Sequence, residues 1–463
     1  MKDHTAERED GKWKVNKKNI LLIVVLLAIN LLSAVFFLTD ASSGTNSAWT
    51  DYPLDDTWIH LVYARNLAEH GGMYYNEGEW EAGTTSPLFV LLIATFWKPF
   101  LLLKMEPIFI PKILSILFSF ATVILTFLLL QKLTNSNFFS FVGGAFVAVD
   151  PQLIFSKVSG MEVHLFISLM LLATYLFINE KSSWAGFFLG LALWTRPEAY
   201  LVMLAVVAAI IINAFRNRQG LLEMLKEYRY FLLNCLLFAA VYSFYFFLIN
   251  GKILPNTFYA KSTLLSGASF YNFVYLFKGF FLGQLPYFFT GIGFLLLLYG
   301  AYALFQKKEF ILIPLVLLSL TFGITLTTIA WKKAWFFYLS RYFHPLIPLL
   351  LIVMVYGIYL FYQALLPRKV LALSIVILLM SSLFIFLTFS FQQQSATYSW
   401  NTFNIREMQV HLGEWVKENT PQNATIYVND AGAIKYFGER YTIDIVGLNN
   451  HQWLFAKEVE QIE

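Results

Sequence analysis

Two adjacent aspartates, Asp55 and Asp56, are the residues whose type and setting point most directly to chemistry. They open a segment rich in polar and aromatic side chains, in a chain of which only 13% of the residues are charged. A carboxylate held close to lipid can have its pKa raised by loss of hydration, which suits a general base that accepts a proton near neutral pH. The alternative interpretation is that the pair is an ordinary feature of a solvent-exposed loop.

The same segment supplies further candidate contacts for a substrate. If residues 55–69 form a helix, Asp56, His60 and Tyr63 share one face of it, because residues three and four positions apart are neighbours on a helix. His60 and Tyr63 are therefore candidate contacts for an acceptor molecule. Arg65 is a candidate contact for an anionic group such as a phosphate.

Two charged residues farther along interrupt apolar runs. Glu162 lies between two such runs, and Arg196 begins the interruption Arg196-Pro197-Glu198. Charges at membrane depth are costly and usually face a cavity or a partner, so Glu162 is a candidate second acidic residue and Arg196 a candidate floor of a polar cavity. A solvated helix end at Glu162 and a purely structural Arg196–Glu198 pair are the alternatives.

Three more polar residues stand next to long apolar runs, namely Lys261, Arg341 and His344. Basic side chains in such places often only reach toward lipid headgroups. The functional interpretation is that Lys261 and Arg341 bind the phosphate of a lipid-linked donor, Arg341 in a bidentate way and Lys261 as a point charge. His344 is a candidate neutral polar contact in the same site.

The sequence identifies no cofactor with certainty. Asp55, Asp56 and Glu162 supply oxygen ligands that could hold a divalent metal ion, although no spacing demands one. The motifs of phosphate loops, zinc proteases and dinucleotide-binding folds are absent. The single cysteine, Cys235, excludes an intramolecular disulfide.

The candidate site residues lie beside or between long apolar segments. The chain of 463 residues is 58% hydrophobic, and many of its apolar runs approach or exceed the roughly 18 residues that cross a bilayer. The net charge of +4 is spread over loops, which argues against a nucleic-acid partner. We expect an all-α polytopic membrane protein with about eleven transmembrane helices. The expected spans lie near residues 20–38, 113–130, 138–155, 164–179, 184–195, 199–214, 230–249, 287–305, 310–330, 343–363 and 370–391.

Charge and composition also predict how the chain is divided. Lysines before the first span place residues 1–19 in the cytoplasm as a tail, so that residues 39–112 form a first outer loop. The apolar piece 88–97 is interrupted by Trp97-Lys98-Pro99 and is expected to be an interfacial helix. Residues 20–391 form the transmembrane domain, and 392–463 a small extracytoplasmic α/β domain with strands near 424–428 and 441–446.

An ordered set of motifs along the whole chain resembles the GT-C glycosyltransferases, and is most similar to their arabinofuranosyltransferase-like branch, with more distant likeness to protein O-mannosyltransferases and aminoarabinose transferases. The motifs are Asp55-Asp56 with Tyr63-Ala64-Arg65-Asn66, Gly83-Thr84-Thr85-Ser86-Pro87-Leu88, Ser159-Gly160-Met161-Glu162, Thr195-Arg196-Pro197-Glu198, Leu254-Pro255-Asn256-Thr257, Arg341-Tyr342 with Pro345, and Asn429-Asp430-Ala431-Gly432.

The resemblance implies a GT-C fold in the cell membrane, with juxtamembrane helices over an active site on the extracytoplasmic face. It implies a polyprenyl-phosphate sugar as donor and a glycan, lipid or protein hydroxyl of the cell envelope as acceptor. By matching position, Asp55 or Asp56 is the base, Glu162 the second acidic residue, and Lys261 and Arg341 contact the donor phosphate. Membrane lipids are the remaining expected partner.

A lipid or polysaccharide transporter, or flippase, is the alternative function, and a non-catalytic assembly subunit is a third. A transporter places ionisable groups near the middle of its spans. Here most charges cluster at one membrane face, which favours an enzyme.

Overall fold

The computed structural model describes residues 17–262, 292–329 and 341–460, and within these ranges the chain is almost entirely helical. Described helices of the first half are α1 Lys17–Leu38, α2 Ser47–Thr50, α3 Asp55–His70, α4 Pro87–Leu102, α5 Ile110–Thr134, α6 Asn137–Val149, α7 Pro151–Val158, α8 Val163–Ile178, α9 Ser182–Leu193, α10 Ala199–Arg216, α11 Leu221–Asn250 and α12 Asn256–Ser262. Those of the second half are α13 Ile292–Gln306, α14 Leu312–Ile329, α15 Leu346–Ala364, α16 Lys369–Ile405, α17 His411–Asn419, α18 Ala433–Gly438 and α19 His451–Glu460.

Among the described residues, six helices are long and apolar enough to cross a membrane, or seven if α6 and α7 together form one broken span. The chain is therefore a multi-pass membrane protein, but the expected count of about eleven spans is not confirmed. Helices α8 and α9 have 16 and 12 residues, and at about 1.5 Å per residue both fall short of a bilayer core of about 30 Å. The apolar composition of these two segments therefore predicts that they are helical, but it does not predict whether each helix is long enough to cross the membrane.

Helix α15 lies at the centre of the bundle. Its residues from Leu346 to Ile358 are buried without interruption, as expected of a helix that is apolar on every side. It packs closely on α13, because a Cβ on either Gly300 or Gly357 would overlap backbone of the other helix. Such close approach at small residues is how helices associate in membranes, where burial of apolar surface gives little driving force.

The break between α6 and α7 turns the chain by 56°. Pro151 starts α7, and the carboxylate of Asp150 caps it by accepting the N–H groups of Gln152 and Leu153, each at 3.0 Å. Gly160, with a φ of +71°, then allows the tight turn that leads to Glu162 at the start of α8. This turn delivers one of the candidate acidic residues to an end of the bundle.

Helix α4 corrects one sequence prediction. The helix does not end at Trp97 but continues through Lys98 and Pro99 to Leu102. A proline removes one backbone hydrogen bond, and this loss in the last turn does not end a helix that packs on α3. One contact between the two helices is the hydrogen bond from Trp97 Nε1 to Glu69 Oε1, at 2.9 Å.

Helix α16 connects the bundle to the end of the chain. Its 37 residues correspond to about 55 Å, well beyond the thickness of a bilayer core. The helix continues through a π-helical turn, Arg406–Val410, into α17. Parallel strands β1 Thr425–Val428 and β2 Tyr441–Asp444 follow, with Thr425 paired to Tyr441. Residues 406–460 are called the C-terminal domain below, and it packs on α3 through α18.

Candidate functional site

The two adjacent aspartates at the start of α3 have different partners. The carboxylate of Asp55 accepts the backbone N–H groups of Gly432 and Ala433 in the C-terminal domain, at 2.7 and 2.8 Å. The carboxylate of Asp56 instead forms an ion pair with Arg341, 285 positions away in the sequence. Asp55 therefore joins two parts of the protein, whereas Asp56 faces the charged residues of the bundle.

Burial raises the pKa of Asp55 to about 7, well above the ordinary value of 3.8. The two backbone hydrogen bonds from Ala433 and Gly432 oppose this effect, and the nearby carboxylates of Asp56 and Asp430 add to it. Asp55 consequently changes its charge close to neutral pH.

This raised pKa predicts a pH dependence of stability. Between about pH 4 and pH 7 the folded protein binds a proton at Asp55 that the unfolded chain releases. The stabilisation linked to Asp55 is therefore largest at low pH and is lost as the pH rises through about 7. We expect the apparent Tm of the wild type to fall, relative to that of Asp55→Asn, between about pH 5 and about pH 8. Thermal unfolding in detergent measures it, and a Tm difference independent of pH would contradict the assignment.

Glu162 lies in a buried network of charges. Its Oε1 accepts from Arg196 Nη1 at 2.9 Å, and its Oε2 lies 3.3 Å from His60 Nε2. Arg196 Nη2 also donates to Glu198 at 2.6 Å, so the expected Arg196–Glu198 pair exists but is shared with Glu162. Arg196 and Glu162 are each only 4% exposed. Such a buried charge pair is stable only when its hydrogen bonds are well made.

The hydrogen bonds and charges of this network also determine whether Glu162 can act as a general base. Burial alone would raise its pKa, but the hydrogen bond from His60 and the charge of Arg196 outweigh burial and lower the pKa to about 2. Glu162 therefore stays ionised at physiological pH. A carboxylate with so low a pKa is a poor general base, and its geometry suits orientation of neighbouring groups.

Tyr342 joins the two halves of the site. The guanidinium carbons of Arg196 and Arg341 lie 5.2 and 5.5 Å from the centroid of its ring. Burial and the charges of both arginines lower the pKa of His344 to about 3, so this imidazole is neutral. His344 Nδ1 is hydrogen-bonded to Ser156 of α7. The set of four basic side chains that this arrangement gathers is called the basic cluster: His60, Arg196, Arg341 and His344.

Each member of the basic cluster has a buried nitrogen for which the described part of the chain provides no hydrogen-bond partner. These atoms are His60 Nδ1, Arg196 Nε, Arg341 Nη1 and His344 Nε2. Buried polar atoms in native proteins are nearly always hydrogen-bonded, so four such atoms on neighbouring basic residues call for an explanation. An anion with several acceptor oxygens, such as a phosphate monoester or diester, can bind guanidinium groups in this way.

The structure does not bring every predicted site residue into this cluster. Tyr63 donates to Asn449 Oδ1 at 3.1 Å, in the C-terminal domain. Arg65 donates to the carbonyl of Tyr436 at 3.1 Å, and its guanidinium lies 4.6 Å from the Tyr436 ring centroid. Both side chains bind the C-terminal domain, so the described contacts lend no support to Arg65 as a phosphate ligand. Lys261 belongs to α12, but its side chain is outside the described residues.

Sequence reasoning did not find the partners of Asp55. Gly432 belongs to the motif Asn429-Asp430-Ala431-Gly432, but nothing in the sequence linked this motif to Asp55. The sequence feature that could have indicated this contact is a glycine at the start of a helix, because the N–H groups of a first helical turn have no partner within the helix. Nothing in the sequence indicated that Ser156 would be the hydrogen-bond partner of His344.

The three carboxylates that could bind a metal ion each have a different partner. Asp55 binds backbone N–H groups, Asp56 binds Arg341, and Glu162 binds Arg196 and His60. In residues 17–262, 292–329 and 341–460, no three acidic, histidine or cysteine side chains are close enough to hold a metal ion together. The three carboxylates thus have separate partners, and the metal site suggested by their residue types stays a prediction.

The chain is similar in structure to two solved membrane proteins. The oligosaccharyltransferase of Archaeoglobus fulgidus, solved with Zn and sulfate, has a TM-score of 0.60 and 12% identity, and the match covers 91% of this chain and 62% of that one. ArnT from Cupriavidus metallidurans bound to undecaprenyl phosphate has a TM-score of 0.61 and 10% identity, with 96% and 88% covered. The archaeal enzyme, AglB, was also solved with an inhibitory peptide and dolichol-phosphate, with a TM-score of 0.61 and 10% identity, covering 94% and 65%.

A sequence family, described as a domain of unknown function (DUF8728), matches residues 402–462. No curated protein matches the chain in sequence. This chain spans less than two thirds of the length of the archaeal oligosaccharyltransferase. At 10–12% identity these structural matches establish the fold alone, and this chain shares the fold of these membrane proteins.

Proposed function

We propose that the protein is a membrane glycosyltransferase that moves a sugar from a polyprenyl-phosphate donor to an acceptor hydroxyl on the extracytoplasmic face of the cell membrane. The neighbours support a lipid-phosphate ligand, since ArnT was solved with undecaprenyl phosphate and AglB with dolichol-phosphate. The resemblance to the arabinofuranosyltransferase-like branch makes a polyprenyl-phosphate pentose the first donor to test.

The basic cluster is the single observation that carries the proposal. Arg341 uses Nη2 to hold Asp56 and keeps Nη1 without a described partner, and Arg196 likewise keeps Nε. One guanidinium can therefore contact the base and the donor phosphate at the same time. Groups placed in advance where negative charge develops are the main source of catalysis in transfer reactions of this kind.

In the proposed mechanism Asp56 is the general base. Its side chain is 39% exposed, so an acceptor hydroxyl can reach it, whereas both oxygens of Asp55 are occupied by backbone N–H groups. The acceptor oxygen forms a bond to the anomeric carbon as its proton passes to Asp56. The bond from the anomeric carbon to the phosphate oxygen breaks, and polyprenyl phosphate leaves with the electron pair, stabilised by Arg196 and Arg341.

The direct test is release of free polyprenyl phosphate from a panel of polyprenyl-phosphate sugars by purified protein in lipid, with a mixture of hydroxyl acceptors. We expect release with one donor class, and a loss of about 10²-fold or more in Arg341→Gln, because this variant removes the contact to both the base and the phosphate. Arg229→Gln, on the exposed face of α11, is the matched control. No release with any donor would contradict the proposal, and a lipid-flux assay would then test the transporter alternative.

A further inference from the structure

The C-terminal domain binds the first turns of α3 through several independent contacts. Besides the two hydrogen bonds to Asp55, the ring of Trp58 lies 4.9 Å from that of Phe437 and 5.2 Å from that of Tyr436. Two turns farther along α3, Arg65 donates to the Tyr436 carbonyl. The side of α3 that starts at Asp55 is thus attached to α18 of the C-terminal domain.

The loop after α3 is attached to the same region. Tyr75 donates from its hydroxyl to the carbonyl of Ala431 at 2.8 Å, and Asn76 donates to the Thr442 carbonyl at 3.0 Å. Lys435 in turn donates to Asn76 Oδ1 at 2.8 Å. The side chains of Trp58, Tyr75, Asn76 and Lys435 are buried, and the others in these contacts are half-buried, so the attachment does not rest on fully exposed groups.

The approach at Gly432 leaves no room for a larger residue. A Cβ at this position would overlap the carbonyl oxygen of Asp55 and lie 2.7 Å from its Oδ1. The backbone φ of Gly432 is −94°, so the requirement for glycine argued from this contact comes from space and not from a positive φ. A methyl group here would push the first residue of α3 away from the C-terminal domain.

The opposite side of the same turn rests on the loop that carries Glu162. Thr57 Oγ1 donates to the Ser159 carbonyl at 2.8 Å. A Cβ on Gly160 would lie 2.9 Å from the methyl group of Thr57. The first turn of α3 is therefore held between the C-terminal domain on one side and the Glu162 loop on the other.

We propose that the C-terminal domain positions helix α3 for catalysis. The N–H groups of Gly432 and Ala433 bind Asp55, and this contact directs the adjacent Asp56 toward Arg341 and the acceptor. The proposal rests on the proposed function and extends it, because it assigns a positioning role to Asp55 and a function to the C-terminal domain. Positioning matters because displacement of a reacting group by about 1 Å can lower a rate by about 10²-fold.

The test compares Gly432→Ala with Gly220→Ala, whose added methyl group meets no atom within 4 Å. We expect Gly432→Ala to lower kcat by about 10²-fold while the Kd for polyprenyl phosphate stays within about twofold of the wild-type value. We also expect faster amide hydrogen exchange over residues 57–61, because the first turn of α3 loses its attachment. Gly220→Ala is expected to match the wild type in all three measurements.

Asp55→Asn provides a second variant in case Gly432→Ala does not fold. The amide keeps one acceptor oxygen for the two N–H groups, so kcat should fall less, by about 10-fold, with an intermediate increase in exchange. An Asp55→Asn protein as inactive as Asp56→Asn, with unchanged exchange, would overturn the proposal and make Asp55 the base. Because hydrogen exchange needs no substrate, it tests the attachment even if no donor supports transfer, and unchanged exchange in both variants would also overturn it.

Discussion

Asp56→Asn is expected to lower kcat for sugar transfer by about 10²–10⁴-fold, the usual contribution of a positioned general base. The amide has nearly the same shape as the carboxylate but cannot accept the proton of the acceptor hydroxyl. Since Asp56 is paired with Arg341 at a partly exposed position, the variant should remain folded and should still bind polyprenyl phosphate. Steady-state release of polyprenyl phosphate, measured beside a thermal-shift assay for lipid binding, separates the two properties.

Asp40→Asn is the matched control, because Asp40 follows α1 and contacts Ser42 and Ser395 away from the basic cluster. It should retain wild-type kcat. Full activity of Asp56→Asn would reject Asp56 as the base. A loss of lipid binding as large as the loss of kcat would instead make Asp56 a structural partner of Arg341.

The chemistry of the site was predictable from sequence to the extent that charge in an apolar chain is costly. Glu162, Arg196 and Arg341 stood out because they interrupt or flank apolar runs. The structure places both arginines beside Tyr342 and pairs Glu162 with Arg196. The direct meeting of Arg341 with Asp56 joins positions 285 apart, which no local pattern specifies. Residue type therefore indicated charged members of the candidate site, and the fold determined which of them touch.

Tyr63 and Arg65 show where sequence reasoning failed to find the contacts. Helical spacing placed Tyr63 on the same face as Asp56, yet its partner Asn449 is 386 positions away, and the partner of Arg65 is 371 positions away. Helix α3 is covered by the bundle and by the C-terminal domain, so more than one of its faces is buried. Periodicity predicts which residues share a face, but it does not predict which neighbour covers that face.

Arg196→Met is expected to have the largest effect on stability, about 3–5 kcal/mol, because it leaves the buried carboxylate of Glu162 without its guanidinium partner. It should also weaken binding of polyprenyl phosphate, since Arg196 Nε is one of the nitrogens assigned to the phosphate. Thermal unfolding with and without polyprenyl phosphate measures both effects. Arg229→Met, at an exposed position of α11, should change neither.

The double variant Glu162→Gln, Arg196→Met separates the two roles of Arg196. Removing the buried carboxylate of Glu162 together with the guanidinium leaves only the half-buried carboxylate of Glu198 without its partner. Much of the lost stability should therefore return, because the penalty of a broken buried pair comes mainly from the buried ion left behind. Binding of polyprenyl phosphate should not return, because its ligand is still missing. A double variant that binds polyprenyl phosphate as the wild type does would show that Arg196 only stabilises the fold. In that case Arg341 and the two histidines would have to hold the phosphate without it.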